Sequence, residues 1–121
     1  MQYLLLIYRS EAEMAKIPPA ELTAMYAEYG KFTQEITHSG NYVGGNPLKP
    51  TATATTVRVR DGKRQVTDGP FAETKEQLGG YYLIEANDLD QAISIAARIP
   101  GARSGSIEVR PIMSRTQAVQ A

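Results

Sequence analysis

The chain has no cysteine and no tryptophan, one histidine, two phenylalanines and no surplus of charge of either sign. Each shortage excludes something. Without cysteine there is no disulfide, no thiolate nucleophile and no sulfur ligand for zinc, and the redox compartment is left open. With His38 as the sole histidine, a metal would rest on carboxylates alone, so no metal is expected. Thirteen basic residues balance thirteen acidic ones. That argues against nucleic acid as a partner, because such affinity rests on surplus cations neutralising phosphates. The apolar run 3–8 is far short of the roughly 20 residues of a membrane helix, and no basic segment precedes it as in a signal peptide. A cytoplasmic protein is the expectation. The glycine pairs lack the spacing of a phosphate loop, and no serine lies in a nucleophile elbow.

What is present suits one globular domain. Its 121 residues are 42% apolar and 21% charged, enough for one core and too few for two. The domain is read as 1–113, with a flexible polar tail at 114–121. The run Gln2-Tyr3-Leu4-Leu5-Leu6-Ile7-Tyr8 predicts a central strand buried on both faces. Pro18-Pro19 suits the first turn of a helix. Leu22, Met25, Tyr26, Tyr29, Phe32, Thr33 and Ile36 then recur at three- and four-residue steps along its apolar face. Glu28, Lys31 and Glu35 lie on its solvent side at ion-pairing distance, Gly30 suggests close packing, and Ser39-Gly40 ends it.

Tyr42-Val43 begins a second strand, broken by Gly44-Gly45, Asn46-Pro47 and Pro50 and resumed over 52–60. Asp61-Gly62 is a hairpin turn, with 64–68 returning. A two-residue loop sets Val57 against Val66, a four-residue loop sets Val59 against it, and a three-residue loop would mismatch apolar and basic sides. An even loop therefore puts Asp68 on the valine face, at the end of its strand, with Arg58 and Arg60 on the other face. Residues 81–86 form the next strand. Asn87-Asp88 with Gln91 predicts a capping box opening a helix, whose inward stripe is Leu89, Ala92, Ile93, Ala96 and Ile99. Residues 106–113 form the last strand, alternating Ile107, Val109 and Met113 with Glu108 and Arg110.

This order predicts an α+β fold: a ferredoxin-like sandwich with an extra β-hairpin, its antiparallel sheet carrying two helices on one face. Two helices cover only one side. The other side needs a partner, and a homodimer through the sheet face is the simplest solution.

The densest chemistry lies in Asp68-Gly69-Pro70-Phe71-Ala72-Glu73-Thr74-Lys75-Glu76, between two strands. Asp68 is either a turn carboxylate accepting backbone N–H bonds or a pocket carboxylate able to move a proton. Glu73, Lys75 and Glu76 are either a solvated loop or a flap over a ligand. Arg58 suits a carboxylate or phenolate ligand if its face lines a pocket, and is otherwise part of a basic hairpin tip. Of seven tyrosines, Tyr81 and Tyr82 follow the glycines and are best placed to line such a pocket. His38 is a helix-end residue set against the dipole.

That stretch, with Gly79-Gly80-Tyr81 after it and TVRVRDG before it, resembles the DGPF branch of the YCII-related family, and the resemblance runs from Met1 to about Pro111. It implies a dimeric α/β barrel, with two ferredoxin-like subunits joined through their sheets and a pocket in each. The wider superfamily includes small enzymes that act on oxygenated or chlorinated aromatic compounds and lactones without metal or organic cofactor. In the YCII branch proper a His–Asp pair is the proposed catalytic unit, and His38 does not match its place. The resemblance leads to a small-molecule binding protein whose ligand meets Arg58, Phe71, Glu73, Lys75 and Tyr81. The alternative is a cofactor-free lyase or isomerase with Asp68 as the proton-transfer group. Fusion of some relatives to sigma factors suggests a third role, accessory to transcription.

Overall fold

A computed structural model of the protein describes residues 1–114, so the tail predicted at 114–121 lies, but for Ser114, outside the described residues. The elements run β1 (Gln2–Arg9), α1 (Glu11–Met14), α2 (Pro19–His38), β2 (Tyr42–Pro47), β3 (Thr55–Arg60), β4 (Lys63–Asp68), β5 (Gln77–Glu85), α3 (Leu89–Ala97) and β6 (Ser106–Pro111). Strands β2, β5, β1 and β6 form one sheet in that spatial order, each pair antiparallel. This is the interleaving of two βαβ units, β1-α2-β2 and β5-α3-β6, that defines the ferredoxin-like sandwich.

Alternation decides which side of the sheet holds the core. Tyr3, Leu5 and Ile7 of β1 and Tyr82 and Ile84 of β5 are buried with Phe32 and Ile36 of α2 and Ala92, Ile95 and Ala96 of α3. Phe32 meets Tyr82 edge-on at 5.3 Å, and the Tyr82 hydroxyl bonds the Thr33 hydroxyl at 2.8 Å. Full burial of each large aliphatic side chain stabilises the fold by about 1.5–3 kcal/mol. The intervening residues Leu4, Leu6 and Tyr8 are only half-buried, so β1 is covered on one face rather than on two as its sequence predicted.

Helix ends follow local chemistry. Asp88 caps α3 by accepting from the Gln91 amide at 2.8 Å, while the Gln91 side chain accepts from the Asn87 amide at 2.7 Å. The predicted capping box is therefore formed. Pro18 precedes α2, and Gly40 ends it at φ 81°. The apolar stripes differ from expectation in detail. On α3 the buried residues are Ala92, Ile95 and Ala96, with Ile99 just beyond, whereas Leu89 and Ile93 are exposed. Tyr26 is likewise turned outward. No atom lies near enough to Gly30 to require glycine there, so close packing does not account for it. Glu28 and Glu35 pair across the fold with Arg103 at 2.6 Å and Arg98 at 2.9 Å, not with Lys31.

The largest correction concerns the interrupted second strand. It is two strands in two sheets. β2 ends at Pro47, a 3-10 turn occupies Thr51–Thr53, and β3 then pairs with β4 alone. The two-residue turn is the one observed: Val57 faces Val66, and Asp61 and Gly62 take φ 53° and 72°. Both values match a type I′ turn, which suits the twist of the flanking strands. Beyond Pro111 the last strand is not continued, and Met113 lies exposed.

Candidate binding surface

The side of the four-stranded sheet away from the helices is open. Register places its residues in rows. Leu4 lies between Leu83 and Arg110, with Gly44 beyond Leu83. Leu6 lies between Tyr81 and Glu108, with Asn46 beyond Tyr81, and Tyr8 lies between Leu78 and Ser106. The centre is thus Leu4, Leu6, Leu83, Tyr81 and Tyr8, all half-buried, with polar groups along both edge strands.

Those polar groups are held in place. The Asn46 amide donates to the Tyr81 hydroxyl at 3.0 Å, which leaves the Tyr81 proton free to donate outward. Arg110 pairs with Glu108 two residues away on the same strand. The hydrogen bond that Arg110 donates to the Glu108 carboxylate, and then that carboxylate's charge, raises the Arg110 pKa above its ordinary value. At the Tyr8 end, the Ser106 hydroxyl donates to the Glu76 carboxylate at 2.8 Å.

Two polar knots at that end tie down the long excursion between β2 and β5. The Glu11 carboxylate accepts from the Thr51 amide at 2.8 Å and from its hydroxyl at 2.6 Å. The Glu11 amide donates to the Gln77 side chain at 2.8 Å, and Gln77 in turn donates to the Thr74 carbonyl at 2.5 Å. This bond between residues three apart closes a loop rather than opening a helix.

The hairpin between these knots is exposed throughout except at half-buried Thr56. Its base is closed by the Gly69 amide donating to the Ala54 carbonyl at 2.7 Å and by the Thr56 hydroxyl donating to the Gly69 carbonyl at 2.8 Å. Gly69 makes the turn at φ 95°, a conformation costly for other residues.

The sequence-predicted residues fall in three places. Asp68 ends β4 opposite Thr55, on the face of Val57 and Val66. Its carboxylate makes no hydrogen bond or ion pair among the described residues, so the turn is built by Gly69 and Thr56 instead. Arg58 lies opposite Gln65 on the other face. Phe71, 78% exposed, stands with Glu73 and Lys75 on the outer loop, and neither charge has an ion-pair partner among the described residues. Tyr81 alone belongs to the open sheet. Within one chain the six are not gathered. Sequence reasoning missed Glu11, Gln77 and Asn46 as positioning residues and Tyr8 and Glu108 as lining residues. The strand alternation that exposed Tyr81 would have found Tyr8 as well. A separate cleft lined by Met1, Gln2, Pro111, Ile112 and Ser114 contains none of the predicted residues.

Comparison with known proteins agrees with this architecture. Residues 1–116 match the YCII-related domain. An uncharacterised protein of Rhizobium meliloti (strain 1021) is 36% identical over 114 residues, which span 93% of this chain and 92% of that protein.

Proposed function

Starting from the premise that the chain belongs to the YCII-related domain family, we propose that it works as a homodimer that holds a small organic molecule over its open sheet face. The observation that supports this is the make-up of that face. Half-buried leucines and tyrosines form an apolar platform, and a second copy laid across it would exclude water. Tyr81, its oxygen already bonded by Asn46, offers a proton to a carbonyl, carboxylate or phenolate oxygen. Such a ligand is a compact aromatic or aliphatic molecule carrying at least one acceptor oxygen.

Sedimentation equilibrium with a thermal-shift panel of hydroxylated and carboxylated aromatics tests the reading. The wild type is expected as a dimer, with Leu6→Arg a folded monomer. At least one panel member should stabilise the wild type, and Tyr81→Phe should weaken that response about tenfold, the loss of roughly one charge-assisted hydrogen bond. A wild type that sediments as a monomer overturns it.

A second reading draws on the unpartnered carboxylate of Asp68. A carboxylate with no structural bond, next to valines, is available to move a proton, as a lyase or isomerase would require. If turnover of a bound ligand is found, Asp68→Asn should abolish it while fold and dimer persist. Unchanged turnover in that variant removes Asp68 from the chemistry.

A further inference from the structure

The β3–β4 hairpin is the least satisfied part of the molecule. Val57, Val59 and Val66 share one of its faces and are 59%, 61% and 59% exposed. Among the described residues the two strands pair only with each other. An isolated two-stranded ribbon is marginal in water and gains stability by laying an apolar face on something else. Each valine left in solvent forgoes the burial that favours β-branched residues in strands.

A size argument says what covers it. Four strands about 4.8 Å apart, six residues long at about 3.4 Å per residue, give the open sheet a footprint of roughly 400 Å². A stable dimer buries about 800 Å² per partner. The hairpin's two strands add roughly 200 Å² of footprint on one face, which brings the two apolar surfaces together to roughly three quarters of that area, against half for the sheet alone. Charge agrees. Arg64 and Asp68 flank the valines on the same face, and neither has an ion-pair partner among the described residues. The open sheet carries Glu108 and Arg110 beside its leucines. The Glu11–Thr51 and Gln77–Thr74 knots fix where the hairpin leaves the sheet end.

We propose that the hairpin is an exchanged arm: its Val57–Val59–Val66 face lies on the open sheet face of a second copy and carries Asp68 to that copy's Tyr81. This rests on the dimer reading and adds to it that each site is built from two chains. Asp68 and Tyr81, apart in one chain, are then brought together across the dimer.

The absence of native cysteine makes the test clean. Val57→Cys and Leu6→Cys, each in a chain of distinguishable mass, are mixed, exchanged and oxidised with diamide, and the covalent dimers are read by mass spectrometry. The mixed 57–6 disulfide is expected in at least fivefold excess over either like-with-like product. A predominance of 57–57 products would mean that hairpins meet hairpins and overturns the arm. So does efficient closure within single chains of the doubly substituted protein, which would mean that the hairpin folds back on its own sheet. Sedimentation of the wild type separates the two failures. A dimer without the mixed disulfide rejects the arm alone, and a monomer rejects the dimer as well.

Discussion

Leu5 on β1 and Val57 on β3 are both central apolar residues of antiparallel strands, yet Leu5 is fully buried and Val57 is 59% exposed. The difference is what lies on either side. Leu5 sits in a strand flanked by two others and covered by α2 and α3. Val57 sits in a two-stranded ribbon that no other described residue covers. The body of the molecule buries a core within one chain, and the hairpin leaves its valines exposed. The body therefore holds the fold, while the hairpin presents the exposed valine face on which the proposed arm exchange rests.

The sharpest way to break that comparison is to truncate one apolar side chain in each region. Ile84→Ala, at a fully buried position, should cost about 2–5 kcal/mol in denaturant unfolding, the transfer loss plus an unfilled cavity. Val57→Ala, measured in a Leu6→Arg background to keep copies apart, should cost at most about 1 kcal/mol. Equal losses would mean that the hairpin is packed within its own chain.

Next in size is the helix cap. Asp88→Ala removes the bond to the Gln91 amide and should cost about 1 kcal/mol, read as a lower denaturant midpoint with unchanged slope. By contrast, Asp68→Asn should leave stability within about 0.5 kcal/mol of wild type, because its carboxylate bonds nothing among the described residues.

The body should also lose stability at alkaline pH. Burial raises the pKa of Tyr82, partly offset by its bond to Thr33, and burial likewise raises Tyr29, partly offset by the charge of Arg9. A phenol raised in the folded state is protonated there after the unfolded chain has begun to ionise. Its contribution is complete below the ordinary tyrosine value of about 10 and is lost as pH rises through the folded value. The melting temperature should thus hold steady from neutral pH to about 9 and then decline. Tyr82→Phe should make that alkaline decline shallower, and an unchanged slope would remove Tyr82 as its source.

Features written in adjacent residues were legible in the sequence: the Asp88–Gln91 box, the Asp61-Gly62 turn, the even register that sets Val57 against Val66, and the ferredoxin-like order. Features that depend on distant partners were not. Asn46-Pro47 and Pro50 showed a break in the second strand, but that the chain resumed in a separate sheet, past a turn bonded to Glu11 forty residues away, was not written locally. α3 is short and apolar on several sides, so Leu89 and Ile93 fitted a stripe as well as Ile95 did until the sheet decided. Asp68 was placed correctly on the valine face, while its freedom from turn bonds became visible only with Thr56 and Gly69 in position.

The claim that one copy's hairpin is held by another's sheet is tested most directly by hydrogen exchange in wild type and Leu6→Arg. The amides of β3 and β4 are expected to be slow in the wild type and to exchange at least tenfold faster in Leu6→Arg, with those of β1 and β5 away from the substitution unchanged. Leu6 lies on the open sheet and pairs with Tyr81 and Glu108, not with the hairpin, so such a loss has to pass through a second chain. Identical hairpin exchange in the two proteins would contradict the account.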